Sequence, residues 1–155
     1  MIYYFTRSQK SKVAAEALSE VTGLPLYALV ASINDAKGFL FGWKAVTSIM
    51  SSKGCEVSNL PTEVPREIYL CGPIWVGEMA GPLKNFLTNV KLTGVKVNVL
   101  LTGMQPAEEN RRRALKVLGK SGCEVGAVYM MATTKEMPEK TLFCEQLRDL
   151  MPEND

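Results

Sequence analysis

Ile2-Tyr3-Tyr4-Phe5-Thr6-Arg7-Ser8-Gln9-Lys10-Ser11-Lys12-Val13-Ala14 is the stretch that decides how this chain folds. Ile2 to Phe5 is wholly apolar and reads as a short strand buried on both faces, as strands inside a parallel sheet are. A hydroxyl-rich turn follows. Val13, Ala14, Ala17, Leu18 and Val21 then fall on one stripe of a helix over Ser11–Val21. Gly23 stands where the left-handed residue that ends a helix belongs. Strand, tight turn and helix in that order open a parallel α/β sheet.

The alternation continues along the chain. Leu24–Val30 reads as a second strand, Glu67–Cys71 as a third, Val95–Leu101 as a fourth and Val125–Met131 as a fifth. A helix over Met79–Val90 has a face of Met79, Leu83, Phe86, Leu87 and Val90. Another begins at Pro106, an accepted first-turn position, and runs to Lys120, with Gly122 ending it. A last helix covers Pro138–Leu150. Between the second and third strands, Phe39, Leu40, Phe41, Trp43, Val46, Ile49 and Met50 predict an amphipathic helix over Ala36–Ser52, interrupted by Gly42. A polar, proline-bracketed connection over Gly54–Pro65 follows, and the sequence leaves open whether residues 31–65 pack on the sheet or face a partner. Five rounds of strand and helix predict a doubly wound five-stranded parallel sheet with helices on both faces. At 155 residues, one domain over 1–155 is expected.

Composition narrows the chemistry. Hydrophobic residues make up 46% and charged residues 22%, an ordinary globular balance. The net charge of +2, with signs mixed, is far from the clustered basic surface of a nucleic-acid binder. No apolar run reaches membrane-spanning length, and no basic patch followed by an apolar run marks a leader. Cytoplasmic residence, with neither membrane nor nucleic-acid partner, is the expectation. Cys55, Cys71, Cys123 and Cys144 show no CxxC spacing, and the chain has no histidine, so a zinc site is not expected. Cys71 and Cys123 at strand edges and Cys144 on a helix read as small buried thiols. Without histidine there is no imidazole triad or shuttle, and any enzymatic chemistry falls to a cofactor.

Ligands of open parallel sheets bind outside the carboxyl ends of the strands. There, Thr6, Ser8 and Ser11 put three hydroxyls beside a helix start, which offers unpaired N–H groups and a positive end. Lys10 adds charge. The arrangement suits a phosphate; the plain alternative is that Ser8 or Ser11 only caps the helix. Neither G-x-x-x-x-G-K-[ST] nor G-x-G-x-x-G is present, which excludes a P-loop and disfavours a Rossmann dinucleotide site. The second loop is Gly72-Pro73-Ile74-Trp75-Val76-Gly77-Glu78-Met79. Trp75 offers a flat indole face for a planar ring, and Gly72 and Gly77 allow the backbone to come close; the plain alternative is a core tryptophan. If the two loops are neighbours, they fit a ligand with a phosphate tail and a flat ring, such as flavin mononucleotide (FMN). Arg111-Arg112-Arg113 reads as a solvated face, with Glu108–Arg112 and Glu109–Arg113 at i,i+4 spacing.

Tyr3 to Ala14 resembles the phosphate loop of flavodoxins and flavodoxin-like FMN proteins, commonly Ser/Thr-x-Thr/Ser-Gly-Asn-Thr/Ser. Thr6, Ser8 and Ser11 match its hydroxyl positions, while Gln9 stands where glycine is usual and Lys10 where asparagine is usual. If that glycine takes positive φ, Gln9 costs about 1–2 kcal/mol there. Pro73-Ile74-Trp75-Val76-Gly77, with Pro82 and Phe86-Leu87 further on, is similar to the family's second flavin loop, Pro-Ile-Trp-Trp-Gly and then Pro-x-x-x-Phe-Leu. Val76 replaces the second tryptophan. Leu101-Thr102-Gly103-Met104-Gln105 resembles the third, Thr-Ser/Gly-Gly.

The resemblance implies a flavodoxin-like sheet of strand order 2-1-3-4-5. It also implies non-covalent FMN held by Thr6, Arg7, Ser8, Gln9, Lys10 and Ser11, by Pro73, Ile74, Trp75, Val76 and Gly77, and by Thr102, Gly103 and Met104. The function it implies is redox. One version is a carrier that docks with a redox partner protein; family carriers tend to be markedly acidic, which this chain is not. The other is an FMN-dependent oxidoreductase that takes hydride from NAD(P)H and reduces a small acceptor. A third reading, favoured by Gln9, is a scaffold that has lost FMN and serves as an interaction module, with 39–50 as its contact surface. A homodimer stays open.

Overall fold

The structure, a computed structural model, describes residues 1–50 and 55–151, with the backbone alone for 48–50. Its strands are β1 (Ile2–Tyr4), β2 (Leu26–Ala28), β3 (Glu67–Trp75), β4 (Glu78–Met79), β5 (Lys96–Gly103) and β6 (Glu124–Ala132). The helices are α1 (Lys10–Thr22), α2 (Gly38–Met50), α3 (Gly81–Asn89), α4 (Glu108–Lys120) and α5 (Lys140–Leu150), with a 3-10 turn over Ser32–Asp35. Five strands run parallel in the order β2-β1-β3-β5-β6. Setting aside the two-residue β4, which pairs antiparallel with β3, this is the 2-1-3-4-5 order expected from the sequence.

Burial explains the order. Ile2 and Tyr3 of β1 and every residue from Val97 to Thr102 of β5 are buried, as befits strands with neighbours on both sides. Alternate residues feed two layers. Tyr3, Phe5, Leu70, Val99 and Leu101 pack with Leu83 and Phe86 of α3 and Leu118 of α4. On the opposite face, Ile2, Cys71 and Leu100 pack with Ala14, Ala17 and Leu18 of α1 and Phe143 and Leu147 of α5. Burying a side chain of the size of Leu83 or Phe86 contributes about 1.5–3 kcal/mol. Gly23 ends α1 at φ 71, and its amide donates to the Ser19 carbonyl.

Several expected boundaries change: β2 shortens to Leu26–Ala28, α4 starts at Glu108 and α5 at Lys140, and three further changes bear on the site. β3 runs four residues past Cys71, so the stretch taken for a loop is strand and hairpin. Val76 (φ 51) and Gly77 (φ 81) form its two-residue turn, and positive φ at both centres is what a type I′ hairpin needs. Met79 therefore belongs to β4, and α3 starts at Gly81 with Pro82 in its first turn. α2 begins at Gly38 and runs through Gly42 without a break; the proposed end at Ser51 and Ser52, and Gly54 at the start of the connection, lie outside the described residues. α2 turns Phe41 and Ala45 toward the core but leaves Phe39 (88%), Leu40 (52%), Trp43 (62%) and Val46 (42%) exposed. Among the described residues no helix is long and apolar enough to cross a membrane.

Candidate functional site

Register brings the carboxyl ends of the strands level. Tyr4 lies opposite Cys71, Pro73 opposite Thr102, and Gly103 opposite Ala132. The Phe5 amide extends the β1–β3 pairing by donating to the Cys71 carbonyl at 2.9 Å. The loops after β1, β3 and β5 thus open on one edge of the sheet.

In the first loop the backbone turns at Gln9, which sits in the left-handed region (φ 68, ψ −7) as the N-cap of α1 and makes no side-chain capping bond. The φ that glycine would ordinarily supply is therefore taken by a glutamine. Neither serine caps the helix: Ser8 is exposed, and Ser11 is buried with its hydroxyl sharing a 2.8 Å hydrogen bond with that of Thr102. The first turn of α1 carries no acidic residue, so its amides face outward with no carboxylate competing for them. Thr6 Oγ1 is buried without a partner, alone in this among the side-chain polar atoms of the described residues. Such a group costs about 1–3 kcal/mol. Lys10 extends to the Thr134 carbonyl, tying the loop to the segment after β6.

The second loop presents Trp75 half-buried at the end of β3. The indole makes edge contacts with Phe5 (5.5 Å, 88°) and Phe41 (5.3 Å, 89°). It is therefore packed against the core yet still reaches the surface. Val76 is 70% exposed at the hairpin tip. Asn110 fixes that tip: its Oδ1 accepts from the Ala107 amide at 2.7 Å, and its Nδ2 donates to the Gly77 carbonyl at 2.7 Å. A Cβ on Gly72 would lie 2.7 Å from Leu83 Cδ1, so that glycine makes room for α3 and not for a ring. In the third loop, Gly103 packs on Ile74 and Met104 is 59% exposed.

Of the residues singled out from the sequence, Thr6, Ser8, Gln9, Lys10 and Ser11 line the first loop. Ser11 is joined directly to Thr102, and Trp75 is joined to the first loop through Phe5. Pro73, Ile74, Val76, Gly77, Gly103 and Met104 sit on the two neighbouring strand ends. Arg7 behaves differently, since its guanidinium is taken up by carbonyls of residues 33–36. Phe5, Asn34, Phe41 and Asn110 hold the site and were not singled out; only the apolar run 39–43 hinted at Phe41. On α4, Arg113 pairs with Glu109 (3.0 Å) as the spacing suggested. Glu108, however, pairs with Arg111 (3.2 Å), and Arg112 with Glu109 (2.6 Å). The Arg112 hydrogen bond, with that of Arg113 behind it, holds the Glu109 carboxyl below its usual range. Burial pushes the Cys71 thiol well up, consistent with an inert core residue.

Neither a family model nor a curated protein matches this sequence. Solved structures do. A candidate flavoprotein of Bacteroides uniformis ATCC 8492 superposes with a TM-score of 0.77 over 96% of both chains, at 13% identity. The fold is flavodoxin-like. Two further structures with this fold are a candidate flavoprotein of Bacteroides eggerthii DSM 20697 and a flavoprotein of Lactobacillus acidophilus NCFM in complex with FMN. The first gives a TM-score of 0.70 and 16% identity over 96% of this chain and 94% of that one. The second gives 0.64 and 21% over 83% and 90%.

Proposed function

We propose that residues 1–155 form one flavodoxin-like domain that binds FMN and serves a redox reaction. The observation that carries this reading is the solitary Thr6 hydroxyl beside an uncapped helix start. A phosphate placed there gives Thr6 Oγ1 an acceptor and meets the free amides of α1, each charge-assisted bond being worth roughly 1.5–3 kcal/mol. Ser8, at the exposed side of the loop, adds a second hydroxyl. The likeness to a flavoprotein crystallised with FMN supports the choice of ligand.

Bound at this edge, FMN would supply electron and hydride transfer, which no side chain of this chain provides. The protein's part is to hold and orient. Thr6, Ser8 and the amides of Gln9 to Ser11 bind the phosphate. Trp75, Val76 and Gly77 from the end of β3 and its turn, and Thr102, Gly103 and Met104 from the end of β5, would hold the ring. Lys10 braces the rim. With a net charge of +2, the chain lacks the acidic surface that steers a carrier to basic partners. The reading is therefore of an NAD(P)H-dependent reductase of a small acceptor. An absorption spectrum of the purified protein tests the cofactor, and anaerobic addition of NAD(P)H tests the reaction. Flavin bands that bleach without a partner protein support the reductase, and bands that persist until a partner is added support the carrier.

One observation favours a second reading. The outer face of α2 keeps Phe39, Leu40, Trp43 and Val46 in solvent, and a helix apolar on both faces is usually covered. A scaffold without FMN would use that face for contact with another chain, and millimolar FMN would then add nothing to its thermal stability.

A further inference from the structure

One side chain of the first loop leaves it. Arg7 stands between Thr6 and Ser8, yet its guanidinium donates to the carbonyls of Ile33 (3.1 Å), Asn34 (3.0 Å) and Ala36 (2.6 Å). Its carbon lies 4.0 Å over the ring of Phe41. Phe41 in turn meets Trp75 edge-on at 5.3 Å. From the other direction, Asn34 Nδ2 donates to the Thr6 carbonyl at 3.0 Å. The 3-10 turn and the start of α2 are thus tied to the loop after β1, and through Phe41 to the tryptophan at the end of β3.

We propose that Arg7 is a positioning residue for the flavin ring and not a ligand of its phosphate: it locks residues 32–41 onto the first loop and, through Phe41, sets the place of Trp75. This rests on the FMN reading given above. The geometry needs an arginine. Only a planar fork with several N–H groups reaches three carbonyls while laying its face on an aromatic ring, and a lysine ammonium is a point charge. With three hydrogen bonds to carbonyls and its face on Phe41, the guanidinium is anchored to residues 33–41. Its effect on a ligand passes through the segment it holds. If that segment keeps its native place about one tenth of the time, apparent affinity for the ring falls about tenfold.

The chain has two tryptophans, so a Trp43→Phe parent leaves Trp75 as the sole indole reporter. In this parent, Arg7→Met, Arg7→Lys and Phe41→Leu are compared in two ways. Ligand-free protein gives Trp75 emission and its quenching by acrylamide. Titration gives affinities for FMN and for riboflavin, which lacks the phosphate. All three variants should shift Trp75 emission to the red, raise quenching, and weaken both flavins by the same factor of about ten. Phe41→Leu keeps the test alive if the Arg7 variants do not fold, because it breaks the same path with Arg7 intact. The proposal is overturned if the loss falls on FMN alone, if Arg7→Lys restores FMN binding, or if Trp75 emission and both affinities stay at parent values. A parent that binds neither flavin overturns the cofactor reading and this one with it, an outcome visible before any variant is made.

Discussion

The hydroxyls of Ser11 and Thr102, buried and 91 positions apart, share a hydrogen bond of 2.8 Å. It joins the first turn of α1 to the end of β5, and so fixes the first loop against the third. Ser11→Ala leaves the Thr102 hydroxyl buried with no partner, at a cost of about 1–3 kcal/mol. Adding Thr102→Val removes the orphan and should return much of that loss. Urea unfolding of the two single variants and the double variant measures the coupling. Strictly additive losses would show that the pair does not act as a unit.

Gln9 carries a left-handed backbone at φ 68. Glycine there is relieved of about 1–2 kcal/mol of steric strain and gives back about 0.5–1 kcal/mol through its freer unfolded chain. Gln9→Gly should therefore gain about 0.5–1 kcal/mol, a rise of about 1–4 °C in Tm. Gln9→Val, β-branched, should move Tm the other way. Thermal unfolding of the ligand-free variants decides it, and a lower Tm for the glycine variant would contradict the strain argument.

Thr6→Val keeps the shape of the side chain and deletes the unpartnered hydroxyl. In the ligand-free protein this should be neutral or stabilising by up to about 1 kcal/mol, since no bond is lost and a desolvated polar atom disappears. Calorimetric unfolding measures it. A loss of stability would mean that the hydroxyl has a partner in solution.

At the opposite end of the sheet, the Asn98 side chain donates to Glu67 Oε1 (2.9 Å) and accepts from the Ala127 amide (3.0 Å). The Asn98 bond, followed by Lys96, holds the Glu67 carboxyl below its ordinary value of 4.5. A folded pKa below the unfolded one gives stability that is present above the unfolded value and is lost as pH falls through the folded one. Glu67→Gln should therefore flatten the decline in urea midpoint between about pH 5 and about pH 3. Parallel pH curves for the two proteins would contradict this.

The β1–α1 unit was legible because every local signal agreed: an apolar strand, a hydroxyl turn, a 3.6-residue stripe and Gly23 at the helix end. The hairpin at Val76 and Gly77 was not. Gly72, Pro73 and Gly77 are the residues that usually punctuate loops, and a β-branched residue at positive φ runs against turn chemistry. It is the pairing of Ile74 with Met79 and of Trp75 with Glu78 that shows a strand there. Within the site, hydroxyls at positions 6, 8 and 11 could be read as a cradle. Which of them stays free could not, because Ser11 is claimed by Thr102 from far along the chain. The partners of Arg7 were hidden for the same reason, as the carbonyls it meets lie 26 to 29 positions away. α2 is apolar on both faces, so periodicity could not tell that Phe41 turns inward and Trp43 outward.

The central claim is that the loop around Thr6 receives the phosphate of FMN, and calorimetric titration of FMN into the apoprotein, with Thr6→Val beside it, tests this most directly. The wild-type chain should bind one FMN, and Thr6→Val, folded and at least as stable, should bind it about tenfold or more weakly, the loss of a charge-assisted bond of roughly 1.5–3 kcal/mol. No binding by the wild-type chain, or equal affinity in the two proteins, would contradict the account.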